Sequence, residues 1–173
     1  MILLIVTSMT LIILAACNSS QTSATDIQSI EPIIDVTQYS RITPEQLKEK
    51  LGEPIAVYDE NWSVPTSGAE YPLQTYDYDL NGYYTEFLVI EDAVVRMNIY
   101  ASDNPDNAFA IENKEEMFAL LNIDPRDSLI EVEKNAGVLR YSSVSDHVGG
   151  VWTLLSDGKA DTIKITYNFK YFD

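Results

Sequence analysis

From Thr162 to Tyr171 the chain alternates without a break. Ile163, Ile165, Tyr167, Phe169 and Tyr171 hold one side of a period-2 pattern, and Thr162, Lys164, Thr166, Asn168 and Lys170 hold the other. That pattern belongs to a strand with one buried face and one open face. Such strands occur in antiparallel sheets, because parallel sheets are covered on both sides. The segment Ala93 to Tyr100 repeats it, with Val95, Met97 and Ile99 opposite Arg96 and Asn98.

The remaining strands are read from their turns. Tyr71 to Asp79 and Tyr83 to Ile90 flank Asn81-Gly82, a strong hairpin signal. Glu91-Asp92 makes the next turn. Leu129 to Lys134 and Val138 to Ser143 flank Asn135-Ala136-Gly137, and Gly150 to Leu155 precedes a turn at Asp157-Gly158. Ile55 to Tyr58 is a further short strand. Two helices interrupt the series. Thr43 is an N-cap, Pro44 sits at the first helical position, and Gln46 completes a capping box. Leu47 and Leu51 share a face, and Gly52 and Pro54 stop the helix. Asn113 caps a second helix from Lys114 to Leu121, with Glu116 in its third position.

The expected fold is therefore α+β, built as two αβββ-like units of one short helix and about three antiparallel strands. The first covers residues 41–101 and the second 102–173. Apolar residues at 46% and charged residues at 22% are enough for a globular core.

Residues 1–16 are almost wholly apolar and end in Leu14-Ala15-Ala16-Cys17. The stretch is short for a span of about 20 residues and suits the apolar core of a signal peptide. Its end resembles a bacterial lipobox, in which small residues admit the peptidase and the Cys thiol takes up a diacylglyceryl group. No Lys or Arg precedes Cys17, so either the α-amine supplies the positive charge or the precursor starts upstream. Residues 17–40 open with a Ser/Thr-rich run and are expected to form a flexible tether, unless Ile30, Ile33 and Ile34 pack on the domain. Two acyl chains, at about 0.8 kcal/mol per buried methylene, would hold the chain stably on the outer face of the cell membrane.

Composition removes several chemistries. Asp and Glu number 27 against 11 Lys and Arg, a formal net charge of −16, which disfavours nucleic acid. Cys17 is the one cysteine, so no intramolecular disulfide is possible. With one histidine, His147, a zinc site of clustered His and Cys cannot be assembled within the chain.

The run Thr43-Pro44-Glu45-Gln46-Leu47-Lys48-Glu49-Lys50-Leu51-Gly52-Glu53-Pro54 resembles the helix-to-strand passage of small secreted lipoproteins with β-lactamase-inhibitor-protein-like domains, including the SmpA/OmlA type. The hairpin from Phe87 to Ile99 is similar to the one that follows in that family. The second helix departs from the motif, reading Leu120-Leu121-Asn122-Ile123-Asp124-Pro125. The resemblance implies tandem domains packed into one curved antiparallel sheet with helices on one side. It also implies binding of proteins, peptides or cell-wall components, and no shared catalytic residues.

Several constellations could carry chemistry. Asp77-Tyr78-Asp79-Leu80-Asn81-Gly82 matches the first half of a calcium loop, with Asp77, Asp79 and Asn81 as ligands. The closing Glu is missing, since Leu88 holds the twelfth position, so a plain hairpin with solvated aspartates is the competing reading. Ser145-Asp146-His147 lacks a nucleophile elbow and reads as a loop. Asp59-Glu60 beside Trp62 is the carboxylate pair most suggestive of a cell-envelope hydrolase. Tyr76, Tyr78, Tyr83 and Tyr84 cluster about the first hairpin. Either they present an aromatic sheet face to a ligand, together with Trp62 and Arg96, or they cover the core with their hydroxyls at its rim. The expected function is a noncatalytic, lipid-anchored binding module needing no cofactor, or alternatively a calcium-binding surface protein or a carboxylate hydrolase.

Overall fold

The computed structural model describes residues 30–101, 111 and 113–172. Cys17 and the signal-peptide segment lie outside the described residues. The fold is α+β: two short helices and one open, antiparallel, eight-stranded sheet. Helix α1 (Pro44–Leu51) precedes β1 (Ala56–Ser63), β2 (Glu70–Leu80), β3 (Tyr83–Ile90) and β4 (Ala93–Tyr100). Helix α2 (Lys114–Leu120) precedes β5 (Ile130–Asn135), β6 (Val138–Ser142), β7 (Gly150–Ser156) and β8 (Lys159–Thr166). The strand order is β1-β2-β3-β4-β8-β7-β6-β5. The last strands of the two runs therefore pair at the centre.

Helix α1 begins as the capping signals require. The Thr43 hydroxyl accepts from the Gln46 amide at 3.3 Å, and the Gln46 side chain accepts from the Thr43 amide at 3.0 Å. Gly52 takes φ +83° and ends the helix. Asn81-Gly82 forms the hairpin turn between β2 and β3 with both residues at positive φ, 56° and 83°. That geometry matches the right-handed twist of the flanking strands.

Register places one apolar face under the helices. Tyr76, Phe87, Met97, Ile165, Val151 and Tyr141 lie in one continuous row across β2, β3, β4, β8, β7 and β6. Leu47 of α1 and Met117 and Phe118 of α2 close the same cluster, with Phe118 edge-on to Tyr141 at 5.5 Å. Both helices thus cover one side of the sheet.

Three sequence expectations change. Residues 33–39, expected within a tether over 17–40, are packed against the fold, and residues 17–29 of that expectation lie outside the described residues. Ile34, Val36 and Tyr39 are buried in the core, and the Ile33 and Val36 amides donate to Leu120 and Leu121 carbonyls of the α2 C-terminus. These apolar residues follow no regular period because they pack as an irregular strap, ending in a 3-10 turn at Val36–Tyr39. Strand β1 is longer than Ile55 to Tyr58. It is an edge strand, and most of its residues are exposed, so it carries little hydrophobic pattern. The final strand stops at Thr166 although the alternation runs on. Pairing with β4 ends at Arg96–Thr166, and the Asn168 side chain caps a 3-10 turn at Phe169–Tyr171. With four strands in each run rather than about three, every strand of the sheet has its sequence neighbour beside it.

Candidate functional site

The sheet face away from the helices is only partly covered. The turn after β8 folds back over one end of it. There the Trp62 indole donates to the Tyr171 carbonyl at 2.6 Å, and the Trp62 and Phe172 rings lie 5.3 Å apart. With Leu73, Leu88, Ile90 and Val95 these residues make a second, smaller apolar cluster. Among the described residues, nothing else covers this face.

One register row crosses that open face from edge to edge. Its members are Ala56, Asp77, Glu86, Asn98, Lys164, Trp152, Arg140 and Glu133, each directly opposite the next. Neighbouring strands lie about 4.8 Å apart, so Glu86 and Lys164 sit roughly 10 Å from one another. Between Asp77 and Arg140 the row is divided by charge, with acids on β2 and β3 and cations on β8 and β6, and Glu133 on the edge strand β5 stands outside that division.

The acidic half is organised by tyrosines. The Tyr84 hydroxyl donates to Asp77 Oδ2 at 2.6 Å, and the Tyr100 hydroxyl donates to Glu86 Oε2 at 2.7 Å. Asn98 Nδ2 also donates to Glu86 Oε2, at 3.0 Å. Asp77 is 3% exposed, and burial raises its pKa above the ordinary 3.8. The Tyr84 and Tyr100 hydroxyls are pushed up, first by burial and then by the carboxylates they serve. Two buried acceptors, Asp77 Oδ1 and Asn98 Oδ1, have no hydrogen-bond partner.

The basic half surrounds Trp152. Arg140 Cζ lies 5.1 Å and Lys164 Nζ 5.3 Å from the Trp152 ring centroid. Arg96 is anchored by two hydrogen bonds to Thr166 Oγ1, at 3.1 and 3.2 Å, and its guanidinium lies 3.5 Å over the Phe172 ring. Burial, and then the Arg96 charge, lowers the Lys164 pKa. The buried Trp152 Nε1 has no acceptor among the described residues. These residues line a cavity of about 240 Å³ whose wall includes Gly150 and Phe169. Gly150 is required there, because a Cβ would overlap the Phe169 ring. A second cavity of about 420 Å³, lined by Tyr58, Trp62, Tyr84, Glu86 and Asn98, occupies the acidic half. Trp62 borders both.

No protein-family model matches the chain, and no curated protein matches it. Among solved structures it is similar to the crystal structure of a cysteine-rich secretory protein from Staphylococcus aureus subsp. aureus Mu50. Identity is 13% and the TM-score 0.43, over 81% of this chain and 49% of that one. The chain thus spans about half the length of that protein.

The structure divides the residues singled out from sequence. Trp62, Tyr84 and Arg96 reach the open face and line its cavities. Tyr76, Tyr78 and Tyr83 do not. They are 6%, 4% and 5% exposed, on the face that the helices cover. The Tyr78 hydroxyl donates to the Gly52 carbonyl at 3.1 Å, and burial pushes its pKa up to about 12. An exposed Tyr76–Tyr78 face is therefore corrected to a pair of core tyrosines, since the register places them opposite Phe87 and Thr85.

The calcium-like segment is a hairpin whose three side chains make separate contacts. Asp77 meets Tyr84, Asp79 Oδ1 accepts from the Gly82 amide at 2.8 Å, and Asn81 Nδ2 donates to the Ile33 carbonyl at 2.7 Å. Among the described residues, no group of three or more His, Cys, Asp or Glu side chains is placed to hold a metal ion.

Asp59 and Glu60, adjacent on β1, point to opposite faces and cannot act together. Asp59 instead accepts from Gln74 Nε2 at 2.9 Å. Ser145 Oγ accepts from the His147 and Val148 amides, and Asp146 pairs with Arg126, so the Ser-Asp-His run is a turn.

Trp152, Arg140, Lys164 and Tyr100 were absent from the residues singled out by sequence, and Glu86 entered only as a possible stand-in for the missing calcium-loop Glu. The polar side of each alternating strand held the signal, but not which strands lie together.

Proposed function

We propose that this chain is a noncatalytic, lipid-anchored binding module displayed outside the membrane, and that it takes its partner on the open sheet face. The observation that carries this reading is the charge-divided row from Asp77 to Arg140, on a face that the helices leave uncovered. Aromatic and Arg side chains half-buried on a firm sheet are the composition of contact surfaces. The partner is a protein, peptide or cell-wall component with groups of both charges. Cys17 supplies the anchor, and residues up to about 30 supply the tether.

The mirrored strand order favours a duplicated unit of one helix and four strands, joined where β4 meets β8. A β-lactamase-inhibitor-protein-like origin fits the Leu51-Gly52-Glu53-Pro54 passage in the first unit.

Capture from envelope extract by full-length protein in nonionic detergent tests the reading. Trp152→Ala and Lys164→Glu, on the open face, are expected to reduce capture by about tenfold or more. Glu49→Lys, on the exposed side of α1, is expected to leave it unchanged. Equal capture by all three variants would show that the open face is not the binding surface.

A further inference from the structure

The basic half of the open face sits oddly in this chain. The sequence has 11 Lys and Arg against 27 Asp and Glu, yet three cations converge on one small cavity. The ion pairs found among the described residues involve Lys48, Lys114, Arg126 and Lys170. Arg140 and Lys164 form none there, although acids are abundant. Glu133 lies opposite Arg140 in the register, but its carboxylate accepts from Asn135 Nδ2 at 2.8 Å. Glu86, the nearest acid along the row from Lys164, is held by Tyr100 and Asn98.

Half-burying a cation without a counter-charge is unfavourable, and placing cations together adds to the cost. Lys164 registers both effects, with the Glu86 charge a smaller opposing influence, and its pKa is lowered on balance. The Trp152 indole N–H adds a buried donor with no acceptor. The unmatched groups of this cavity are therefore all donors or positive charges. A bound group that brings acceptor oxygens and negative charge would satisfy them together. A cavity of about 240 Å³ is small beside ordinary ligand sites of roughly 300 Å³ and more. It suits one ionised group at the end or side of a larger molecule.

We infer that this cavity is an oxyanion site, which takes a carboxylate or phosphate group of the partner. Arg140 and Lys164 supply the charge and Trp152 the neutral donor, while Arg96, held by Thr166 and the Phe172 ring, forms part of the wall. The inference rests on the open face being the binding surface and specifies what one end of it recognises. Phe169, packed against Gly149 and Gly150, closes that end of the cavity and limits its size.

The test uses full-length protein labelled with nitrogen-15 in nonionic detergent, at constant ionic strength. Sodium phosphate and N-acetylglycinate are titrated separately, and the two tryptophan indole N–H signals are followed, with Trp62→Phe assigning them. A saturable shift of the Trp152 signal, at millimolar concentration for an isolated anion, is expected with at least one of the two. Response to phosphate alone or to N-acetylglycinate alone supports the site and identifies its chemistry. Lys164→Gln and Arg140→Gln should each weaken that binding about tenfold, and Lys164→Arg should retain most of it. Unchanged melting temperatures exclude unfolding as the cause. No saturable shift with either anion overturns the inference, as does unaltered affinity in both Gln variants. If that occurs while capture still depends on the open face, the oxyanion site falls and the binding module stands. If capture is independent of the face, the wider reading falls.

Discussion

At the scale of single residues, Asp77 shows how position overrides composition. It belongs to a segment written like a cation loop, yet strand alternation turns it onto the open face beneath Tyr84, where it is buried. Burial raises its pKa above 3.8, so the folded state holds the proton more tightly than the unfolded state does. Stability from this group is then complete below the ordinary carboxylate pKa and is lost as pH rises through the raised value. Asp77→Asn removes the charge and keeps an oxygen for the Tyr84 hydroxyl. Its melting temperature is expected to exceed that of the parent by a few degrees at neutral pH, with the gap closing below about pH 4. A melting curve series from pH 3 to pH 8 would read this directly. Lower stability of the variant at neutral pH would mean that the carboxylate has a counter-charge. The tyrosines make the same point in reverse. Tyr76 and Tyr78 alternate correctly with Asp77, but alternation alone does not say which side the helices will cover.

At the scale of elements, the turn after β8 decides the shape of the site. Its residues continue the apolar alternation of the strand, so the sequence reads as more strand. The ladder ends at Arg96–Thr166, and the chain is then free to fold back over the open face. Gly149 and Gly150 are what allow the Phe169 ring to settle against β7. Gly150→Ala should force that ring outward and destabilise the protein by about 1–3 kcal/mol. In a Phe169→Ala background the same change should cost less, because the ring overlap is gone and only the tight contact with the Tyr141 carbonyl, at 3.0 Å, remains. Thermal or urea unfolding of the four proteins measures the coupling, and a cost that is equal in both backgrounds would exclude the ring as its origin. Helix α1 lies at the other extreme. Thr43, Pro44, Gln46 and Gly52 determine its limits from neighbouring residues alone, so it was legible at once.

At the scale of the whole molecule, a net charge of −16 surrounds one local basic cavity, and an anionic lipid surface would repel such a domain. The anchor proposed at Cys17 has a direct check. Cells expressing the protein with a clickable palmitate analogue should label it, and Cys17→Ala should abolish the label and release the protein from the membrane fraction. Persistent label in that variant would place the lipid elsewhere. Helix limits, hairpin turns and the two faces of most strands were determined by the sequence itself, because caps, turns and side-chain period act over a few residues. The charge-divided row was not. Asn98 and Lys164 are 66 positions apart, and nothing local says that β4 will pair with β8 rather than with another strand. That choice belongs to the packing of both helices on one side of a single sheet. It is what brings Arg96, Arg140, Trp152 and Lys164 together.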